Sequence, residues 1–383
     1  MNTPISSLTI HSDFDSANIE VLDSSDPLNV QLAIRPDTRS PHFQWFHFKV
    51  EGLRRGQRHA FNLSNAGQSS YHQAWSGYQT VASYNQTDWF RVPTHYDGQT
   101  LSFSLDAQHD QAWFAYFEPY SRQRHDWLIE QAVDKAGCQL LATGLSAEGR
   151  AIQLLRRGQG ASGQRKIWII AQQHPGEHMA EWFMEGLIER LQHADDPHLA
   201  GLLANADLYL IPNMNPDGAF HGHLRTNAMG QDLNRAWQNA SRELSPEVLF
   251  AQEQMEKYGV DLFIDVHGDE EIPYVFTAGC EGNPGYTPRI AALEASLREH
   301  LCTLSHDFQT THGYTRDLPG KANMTLACNS VGERFDCLSL TLEMPFKDHN
   351  DAPNALTGWS AKRSKQLAKD VLSSMAATVG RLR

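Results

Sequence analysis

Short stretches in which apolar and polar residues alternate follow one another through the first third of the chain. They are separated by Asn, Asp, Gly and Pro residues, and they occur at 43–52, 59–67, 88–98, 101–106 and 112–120. Alternation is typical of a β-strand with one buried face, and the residues between the stretches favour turns. Short, evenly spaced strands predict an all-β sandwich, to which we assign residues 1–122.

The hydrophobic pattern changes near residue 123, where apolar strands begin to alternate with helices. Buried strands are predicted at 166–173, 207–213, 261–267 and 337–344, and helices at 125–137, 176–192, 245–259 and 360–380. This alternation predicts an α/β domain over residues 123–383. We expect a mixed, mostly parallel sheet with helices on both faces.

Composition and charge narrow the class of protein. The chain has 383 residues, of which 40% are hydrophobic and 20% charged, so it is globular and long enough for two domains. A formal net charge of -13 repels phosphate backbones, and we expect no nucleic acid partner. The sequence contains no run of about 18 apolar residues, so we predict no membrane span. The N-terminus lacks the pattern of a secretory signal. Five cysteines without a C-x-x-C pattern favour the cytoplasm.

An H-x-x-E-H pattern is formed by His174, Glu177 and His178. In helix-borne zinc peptidases this pattern places both histidines on one helix. Here Pro175 disfavours a helical conformation at His174, so we expect His174 at a strand end and the helix to begin near Gly176. Glu177 then lies in the first helical turn and can reach the same metal ion as His174, whereas His178 points elsewhere.

A third metal ligand is predicted at the end of another strand. A catalytic zinc site has three protein ligands and an open position. His267 ends the apolar run 261–267, and functional residues of α/β sheets gather at the carboxyl ends of strands. We therefore predict that His174, Glu177 and His267 hold one Zn²⁺ ion per chain. Ligand type alone leaves other divalent metals open.

The order of motifs resembles the M14 zinc metallocarboxypeptidases. That family has H-x-x-E, N-P-D-G and D-x-N-R, then a strand ending in histidine and a late strand ending in glutamate. The same order occurs here at 174–177, 215–218 and 232–235, followed by His267 and Glu343. The resemblance covers about 125–383 and implies a carboxypeptidase-like catalytic domain. The sequence FAYFEPYS before it resembles the domain that precedes the catalytic unit in the cytosolic carboxypeptidase-like branch.

The resemblance implies roles for four further residues. Glu343 would be the general base, and Arg225 would contact the carbonyl oxygen and stabilise the developing oxyanion. Asn234 and Arg235 would bind the free carboxylate at the C-terminus of the substrate. The expected reaction is hydrolysis of the C-terminal peptide bond of a peptide or protein.

Other polar residues near the motifs receive structural interpretations. Asp232 is expected to accept a hydrogen bond from His174 without binding the metal itself. The N-P-D-G stretch at 215–218 is interpreted as a turn, and Glu270 with Glu271 as a solvated pair. The neighbouring histidines are interpreted as incidental: His178, His221 and His223.

The residue preferred at the substrate C-terminus stays open. Digestive members of the family carry a mobile tyrosine before the catalytic glutamate, and 321–337 contains none. Either Tyr314 serves from a shifted loop or that role is absent. Eukaryotic members of the cytosolic branch remove glutamate, and Lys321 and Arg334 could face an acidic side chain or be solvated. A preference for C-terminal Glu or Asp is the resulting hypothesis.

Two other functions are compatible with the sequence. One is a zinc-dependent deacylase or amidase on the same fold, because Asn234 and Arg235 would bind a substrate carboxylate there too. The other is a non-catalytic binding module, which loss of a ligand or of the base would indicate, and neither is lost. The sequence does not determine the oligomeric state.

Overall fold

The computed structural model describes residues 8–193 and 195–382. The strands in these ranges are β1 (Thr9–His11), β2 (Glu20–Asp23), β3 (Val30–Ala33), β4 (His47–Glu51), β5 (Arg58–Leu63), β6 (Val81–Ser83), β7 (Trp89–Arg91), β8 (Thr94–Tyr96), β9 (Leu101–Asp106), β10 (Gln111–Ala115), β11 (Gln139–Leu145), β12 (Ala151–Arg157), β13 (Arg165–Ala171), β14 (Ala206–Ile211), β15 (Leu262–Asp269), β16 (Phe276–Ala278) and β17 (Leu338–Pro345). The helices are α1 (Arg122–Asp134), α2 (His178–Leu191), α3 (Pro197–Leu203), α4 (Pro216–His221), α5 (Pro246–Tyr258), α6 (Pro288–Leu304), α7 (Ala327–Phe335) and α8 (Ala361–Thr378).

Two five-stranded sheets form the N-terminal part of the chain. Their strand orders are β1-β4-β10-β6-β7 and β2-β3-β5-β9-β8. Neighbouring strands are antiparallel except β3 and β5. Phe48 and Phe114 of the first sheet pack against Phe61 and Phe103 of the second, and the ring centroids of Phe61 and Phe114 lie 4.8 Å apart. The β-rich N-terminal domain predicted from alternation is confirmed.

A seven-stranded mixed sheet forms the second part, in the order β11-β12-β14-β13-β15-β17-β16. The central strands β14, β13, β15 and β17 are parallel, and the outer pairings are antiparallel. The predicted α/β fold with a mixed sheet is therefore confirmed. Strands β11 and β12 were not predicted, because β11 has no buried residue that would produce an apolar run and β12 buries only part of its length.

Side chains of β13 alternate between two cores. Ile167 and Ile169 pack in the same core as side chains of α2 and α8. Trp168 and Ile170 point to the opposite face, where side chains of α5 and α7 cover them. Burial on both faces explains why this strand is almost continuously apolar. Of the described helices, not one is long and apolar enough to cross a membrane.

The segment 114–121, with the sequence FAYFEPYS, links the two parts of the molecule. Its Glu118 side chain accepts a hydrogen bond of 3.0 Å from the backbone nitrogen of Ala361, where α8 begins. The backbone nitrogen of Tyr120 donates to Nδ1 of His178 in α2, at 2.9 Å. These bonds connect the N-terminal sandwich to two helices of the α/β part, which gives this segment a structural role.

Candidate active site

The carboxyl ends of β13, β15 and β17 lie side by side, because these strands are parallel neighbours. His267 on β15 pairs in register with Glu343 on β17. His174 follows the end of β13, in the loop that leads to α2. Three polar side chains with metal-binding or acid–base chemistry therefore meet at one edge of the sheet.

His174, Glu177 and His267 converge at this edge. Nδ1 of His174 lies 2.6 Å from Oε1 of Glu177, and Nδ1 of His267 lies 2.8 Å from Oε2 of the same carboxylate. All three side chains are buried, and their ligand atoms lie within 4.8 Å of one another. Two imidazole nitrogens and one carboxylate are a ligand set used by catalytic zinc sites, so these residues fit a zinc ion.

The outer nitrogen of each histidine faces a carboxylate. Nε2 of His174 lies 3.1 Å from Oδ1 of Asp232, and Nε2 of His267 lies 2.8 Å from Oδ2 of Asp265. Such carboxylates fix the ring orientation and leave the inner nitrogen free for a metal. Burial alone would raise the pKa of Asp232, but the neighbouring His174 and nearby arginines lower it well below its usual value. Asp265 is a residue that sequence reasoning missed.

The chain turn around Gly176 determines which residues of the H-x-x-E-H pattern meet. Helix α2 begins at His178, so Glu177 is the residue before the helix and not part of its first turn as expected. Gly176 packs against the backbone of Leu224, whose oxygen would lie 2.8 Å from a Cβ atom at this position. This close approach extends the non-helical segment past Gly176.

His178 lies away from the three candidate ligands His174, Glu177 and His267. Its ring stacks on Trp45, with centroids 4.1 Å apart, and its Nδ1 accepts the hydrogen bond from Tyr120. Burial lowers the pKa of His178 to about 3, so the ring stays neutral. This histidine therefore packs between the two parts of the molecule.

Glu343 is buried beside the ligand cluster, with 5% of its surface exposed. Its Oε1 accepts a hydrogen bond of 3.1 Å from the Tyr314 hydroxyl, whereas Oε2 has no partner among the described residues. Burial raises the pKa of Glu343 well above its usual value; His267 opposes this effect and Glu177 adds to it. A buried carboxyl group with one free oxygen is suited to proton transfer.

Tyr314 reaches the site from the loop between α6 and α7. Its hydroxyl lies between Glu343 and Oδ2 of Asp269, which it approaches to 2.7 Å. The first of the two alternatives left by the sequence, that Tyr314 serves from a shifted loop, requires this position, and its role there stays a prediction.

Arg225 lies on the other side of the cluster. Its Nε donates to Oδ2 of Asp232 at 2.8 Å, and its Nη1 donates to the hydroxyl oxygen of Tyr71 at 2.5 Å. Burial would lower the pKa of Arg225, but Asp232 and Tyr71 outweigh this effect and raise the pKa above its usual value. The guanidinium therefore stays charged. Tyr71 belongs to the N-terminal sandwich, and no sequence pattern indicated its presence here.

Asn234 and Arg235 form part of the same wall. Oδ1 of Asn234 accepts a hydrogen bond of 2.8 Å from the backbone nitrogen of Ala327 in α7, and its Nδ2 lies 3.4 Å from Nε2 of His267. Arg235 is exposed, lines the cavity and donates through Nη1 to the backbone oxygen of Asn234 at 2.8 Å.

The N-P-D-G stretch packs behind the loop that carries His174, and it is the capped start of helix α4 and not the turn that was predicted. The Asn215 side chain accepts from the backbone nitrogen of Gly218 at 3.1 Å and donates to the backbone oxygen of Gln173 at 2.9 Å. Asp217 is buried and pairs with Arg150 at 2.7 Å. These contacts agree with a structural role for this motif, although Pro216 begins a helix because the Asn215 side chain caps it.

A cavity of about 660 Å³ opens above the cluster. Glu270 lines it with only 7% of its surface exposed, so the interpretation of Glu270 and Glu271 as a solvated pair was wrong for the first of them. The chain turns just after β15 and directs Glu270 inward, whereas Glu271 is exposed. Burial raises the pKa of Glu270 well above its usual value, and the Glu177 charge raises it further.

Lys321 and Arg334, for which the sequence left open a place at the cavity or in solvent, lie outside its lining. Lys321 is exposed, and Arg334 forms an ion pair with Glu256. Their closeness to Glu343 in sequence did not place them near its side chain. The cavity wall instead contains Arg298 of α6 and Arg316 of the loop that carries Tyr314.

Comparison with known proteins identifies two family regions. Residues 10–117 match the cytosolic carboxypeptidase N-terminal domain, and residues 127–272 match the zinc carboxypeptidase family. Cytosolic carboxypeptidase 6 of Caenorhabditis elegans is 26% identical over 92% of this chain and 81% of its own length.

Solved structures of similar proteins cover nearly the whole chain. A metallo-carboxypeptidase from Pseudomonas aeruginosa, solved in complex with (2-guanidinoethylmercapto)succinic acid, is 61% identical, covers 98% of this chain and 100% of its own, and has a TM-score of 0.96. A metallo-carboxypeptidase from Burkholderia cenocepacia is 41% identical, with coverage of 97% and 99% and a TM-score of 0.94. The chain therefore belongs to the M14 zinc carboxypeptidases, in the branch with the cytosolic carboxypeptidase N-terminal domain, and is a metallocarboxypeptidase.

Proposed function

We propose that this protein is an exopeptidase that hydrolyses the C-terminal peptide bond of peptides or proteins, with one Zn²⁺ ion held by His174, Glu177 and His267. The observation that carries the proposal is the arrangement of two histidine Nδ1 atoms around the Glu177 carboxylate, next to the free oxygen of Glu343. A bound zinc ion would supply a Lewis acid that polarises the scissile carbonyl and lowers the pKa of a water molecule.

Glu343 acts as the general base in this proposal. Its unpartnered Oε2 takes a proton from the attacking water and returns it to the leaving nitrogen as the carbon–nitrogen bond breaks. The Tyr314 hydroxyl occupies Oε1 and so directs Oε2 toward the reacting atoms. The hydroxyl also bridges to Asp269, which holds the tyrosine over the cavity.

Arg225 stabilises the negative charge that develops on the carbonyl oxygen. Asp232 holds its Nε, and the buried setting strengthens the guanidinium's attraction for an oxyanion because little water screens it. The same Asp232 carboxylate orients His174, so one residue couples the metal ligand to the oxyanion donor.

Arg235 and Asn234 bind the terminal carboxylate of the substrate. A guanidinium can donate two parallel hydrogen bonds to a carboxylate, and Arg235 is exposed on the cavity wall. The bond from Ala327 to Oδ1 fixes the Asn234 amide, so its Nδ2 group faces the site as a second donor. Recognition of a free carboxylate restricts cleavage to the last residue.

A preference for acidic C-terminal residues remains part of the proposal and now rests on Arg298 and Arg316. Arg298 is mostly buried and pairs with Glu294 at 2.8 Å, and the exposed Arg316 pairs with Glu281 at 3.0 Å. These pairs leave little uncompensated positive charge. A basic C-terminal residue is the second candidate, because the ligand of the Pseudomonas aeruginosa relative combines carboxylates with a guanidinium. Rates of release measured on matched peptides ending in Glu, Leu and Arg, with wild type and Arg298→Met, test the acidic preference. Loss of a Glu preference in the variant supports the role of Arg298. Faster release of Arg or Leu than of Glu by wild type contradicts the acidic preference.

The same proposal divides the chain into a sandwich at 1–122 and a catalytic domain at 123–383. It also includes a cytoplasmic location. Ser121 caps α1, which follows the last sandwich strand, so the boundary lies at the start of this helix. All five cysteines are free, as in proteins of a reducing compartment. The net charge of -13 disfavours nucleic acid as a partner.

Purified, zinc-loaded protein incubated with a peptide library of varied C-terminal residues tests the proposed activity. Mass spectrometry should show products shortened by one C-terminal residue. Internal cleavage would contradict exopeptidase action. Intact peptides together with cleavage of N-acyl amino acids would support the deacylase or amidase alternative.

A further inference from the structure

The N-terminal sandwich hydrogen-bonds the backbone of the chain segment that carries Arg225. The Asp37 carboxylate, only 3% exposed, accepts hydrogen bonds from three consecutive backbone nitrogens, those of Leu224 at 2.7 Å, Arg225 at 2.9 Å and Thr226 at 2.8 Å. The Thr226 hydroxyl donates to the same carboxylate at 3.0 Å. A carboxylate that accepts four hydrogen bonds makes charge-assisted contacts and fixes the backbone it binds. The position of Arg225 therefore depends on a residue of the other part of the molecule.

The same sandwich also contacts the Arg225 side chain. The Tyr71 hydroxyl oxygen accepts from Nη1 of Arg225, while Asp232 holds Nε. Tyr71 is itself fixed: its backbone nitrogen donates to Oε1 of the buried Gln44 at 2.8 Å, and Nε2 of Gln44 donates to the Tyr71 backbone oxygen at 3.2 Å. The hydroxyl thus has a defined place on the cavity wall.

The direction of this hydrogen bond leaves the Tyr71 proton free to bind something else. Because the phenol oxygen accepts from Arg225, its own hydrogen needs an acceptor, and none of the described side chains or backbone groups accepts it. A hydrogen bond from a guanidinium polarises the hydroxyl and makes it a stronger donor. Burial and the Glu270 charge raise the pKa of Tyr71, so the proton stays in place across the neutral range.

We propose that the N-terminal sandwich completes the reaction site: Tyr71 donates its hydroxyl hydrogen bond to the carbonyl oxygen of the scissile bond beside Arg225, and Asp37 positions the backbone that carries Arg225. This inference rests on the proposed function, since it concerns the oxygen on which Arg225 acts. It gives the N-terminal domain a part in the chemistry that the catalytic fold alone does not supply.

Tyr71→Phe tests the donor directly, because it removes one oxygen and keeps the ring. Loss of a transition-state donor should lower kcat by about tenfold to a hundredfold and leave KM within about twofold. Tyr84→Phe is the matched control: it removes a hydroxyl of the same sandwich that binds the backbone nitrogen of Gln108, away from the cavity. Its kcat should equal that of wild type. Zinc content and Tm of both variants should match those of wild type.

A double-mutant cycle separates joint action from a general structural effect. In an Arg225→Gln background, Tyr71→Phe should lower kcat by no more than about twofold, since residues that act as a unit are not additive. Asp37→Asn should also lower kcat and lose most of its effect in that background. Its control is Asp97→Asn, which alters a carboxylate that caps two backbone nitrogens in a remote turn of the sandwich.

Three results would overturn the inference. If Tyr71→Phe and Tyr84→Phe have the same kcat, Tyr71 is not a donor in the reaction. If Tyr71→Phe lowers kcat by the same factor in the Arg225→Gln background as in wild type, Tyr71 does not act together with Arg225. If Asp37→Asn and Asp97→Asn have the same kcat, Asp37 does not position Arg225. In each case an active wild type keeps the proposed function intact. Zinc-loaded wild type that releases no C-terminal residue would overturn both proposals.

Discussion

Asp265 and His267 lie two positions apart on β15, and the Asp265 carboxylate meets Nε2 of His267 at 2.8 Å. Alternate residues of a strand point to the same face, so this contact follows from their spacing. Asp265 is fully buried, and its second oxygen has no hydrogen-bond partner among the described residues. Its other oxygen, Oδ2, accepts a hydrogen bond of 2.6 Å from Nε2 of Gln173 as well as meeting His267, whose inner nitrogen faces the Glu177 carboxylate.

Asp265→Asn should weaken zinc binding about tenfold to a hundredfold, because the carboxylate that orients His267 and raises its basicity is lost. Competition with a chromogenic chelator measures the affinity. The control is Asp261→Asn, near the opposite end of β15, where the carboxylate accepts a hydrogen bond of 2.7 Å from the backbone nitrogen of Lys166. Equal affinities of the Asp265 variant and wild type would show that this contact does not tune the metal site.

His267→Ala should reduce bound zinc from about one ion per chain to nearly none, since two remaining protein ligands do not hold a catalytic zinc ion. His178→Ala, which changes the histidine stacked on Trp45, should retain the metal. Elemental analysis of the folded proteins after dialysis gives the zinc content. A zinc-loaded His267 variant would refute the ligand set.

Glu343→Gln should bind zinc normally and lose about a hundredfold to ten-thousandfold in kcat, because the amide cannot take a proton. Its size and the contact with the Tyr314 hydroxyl are preserved, so the fold and Tm should not change. Steady-state kinetics on a cleaved peptide measure the loss. Turnover near the wild-type rate would exclude Glu343 as the base.

Glu118 should make stability depend on pH between about 4.5 and 7. Burial raises the pKa of this carboxyl from 4.5 to about 7, so the folded state binds more protons than the unfolded state in that window. Stability must then fall as the pH rises through it, by up to about 3 kcal/mol. Glu118→Gln abolishes this loss and should raise Tm relative to wild type at pH 8 and not at pH 4.5. The exposed Glu130→Gln is the control, and a Tm difference independent of pH would contradict the assignment.

The sequence was most informative where burial and chemistry coincide. The central strands β13, β14, β15 and β17 are covered on both faces, so each left an apolar run, and the residues at three of their ends have ligand or base chemistry. Pro175 and Gly176 further indicated that the chain breaks between strand and helix. These signals are local, and they gave the candidate ligands and the candidate base.

Contacts that depend on docking of the two domains could not be predicted. Tyr71 and Asp37 lie in irregular segments more than a hundred residues before Arg225 in sequence, with no periodic pattern around them. Of the two alternatives left open for Lys321 and Arg334, their exposed positions outside the cavity lining match solvation, since closeness to Glu343 in sequence says little about which way a loop or helix directs its side chains. Asp265 could have been found, because its spacing from His267 on a predicted strand is a local signal.

Recognition of a free C-terminal carboxylate by this site is tested most directly with one pair of substrates. A peptide that the zinc-loaded enzyme cleaves is prepared with a free C-terminus and with a C-terminal amide, and kcat/KM is measured for both. Arg235 and Asn234 have no carboxylate to bind in the amide, so its kcat/KM should be lower by about two orders of magnitude or more, in line with the loss of a charge-assisted pair. Equal kcat/KM values for the two peptides would contradict exopeptidase action.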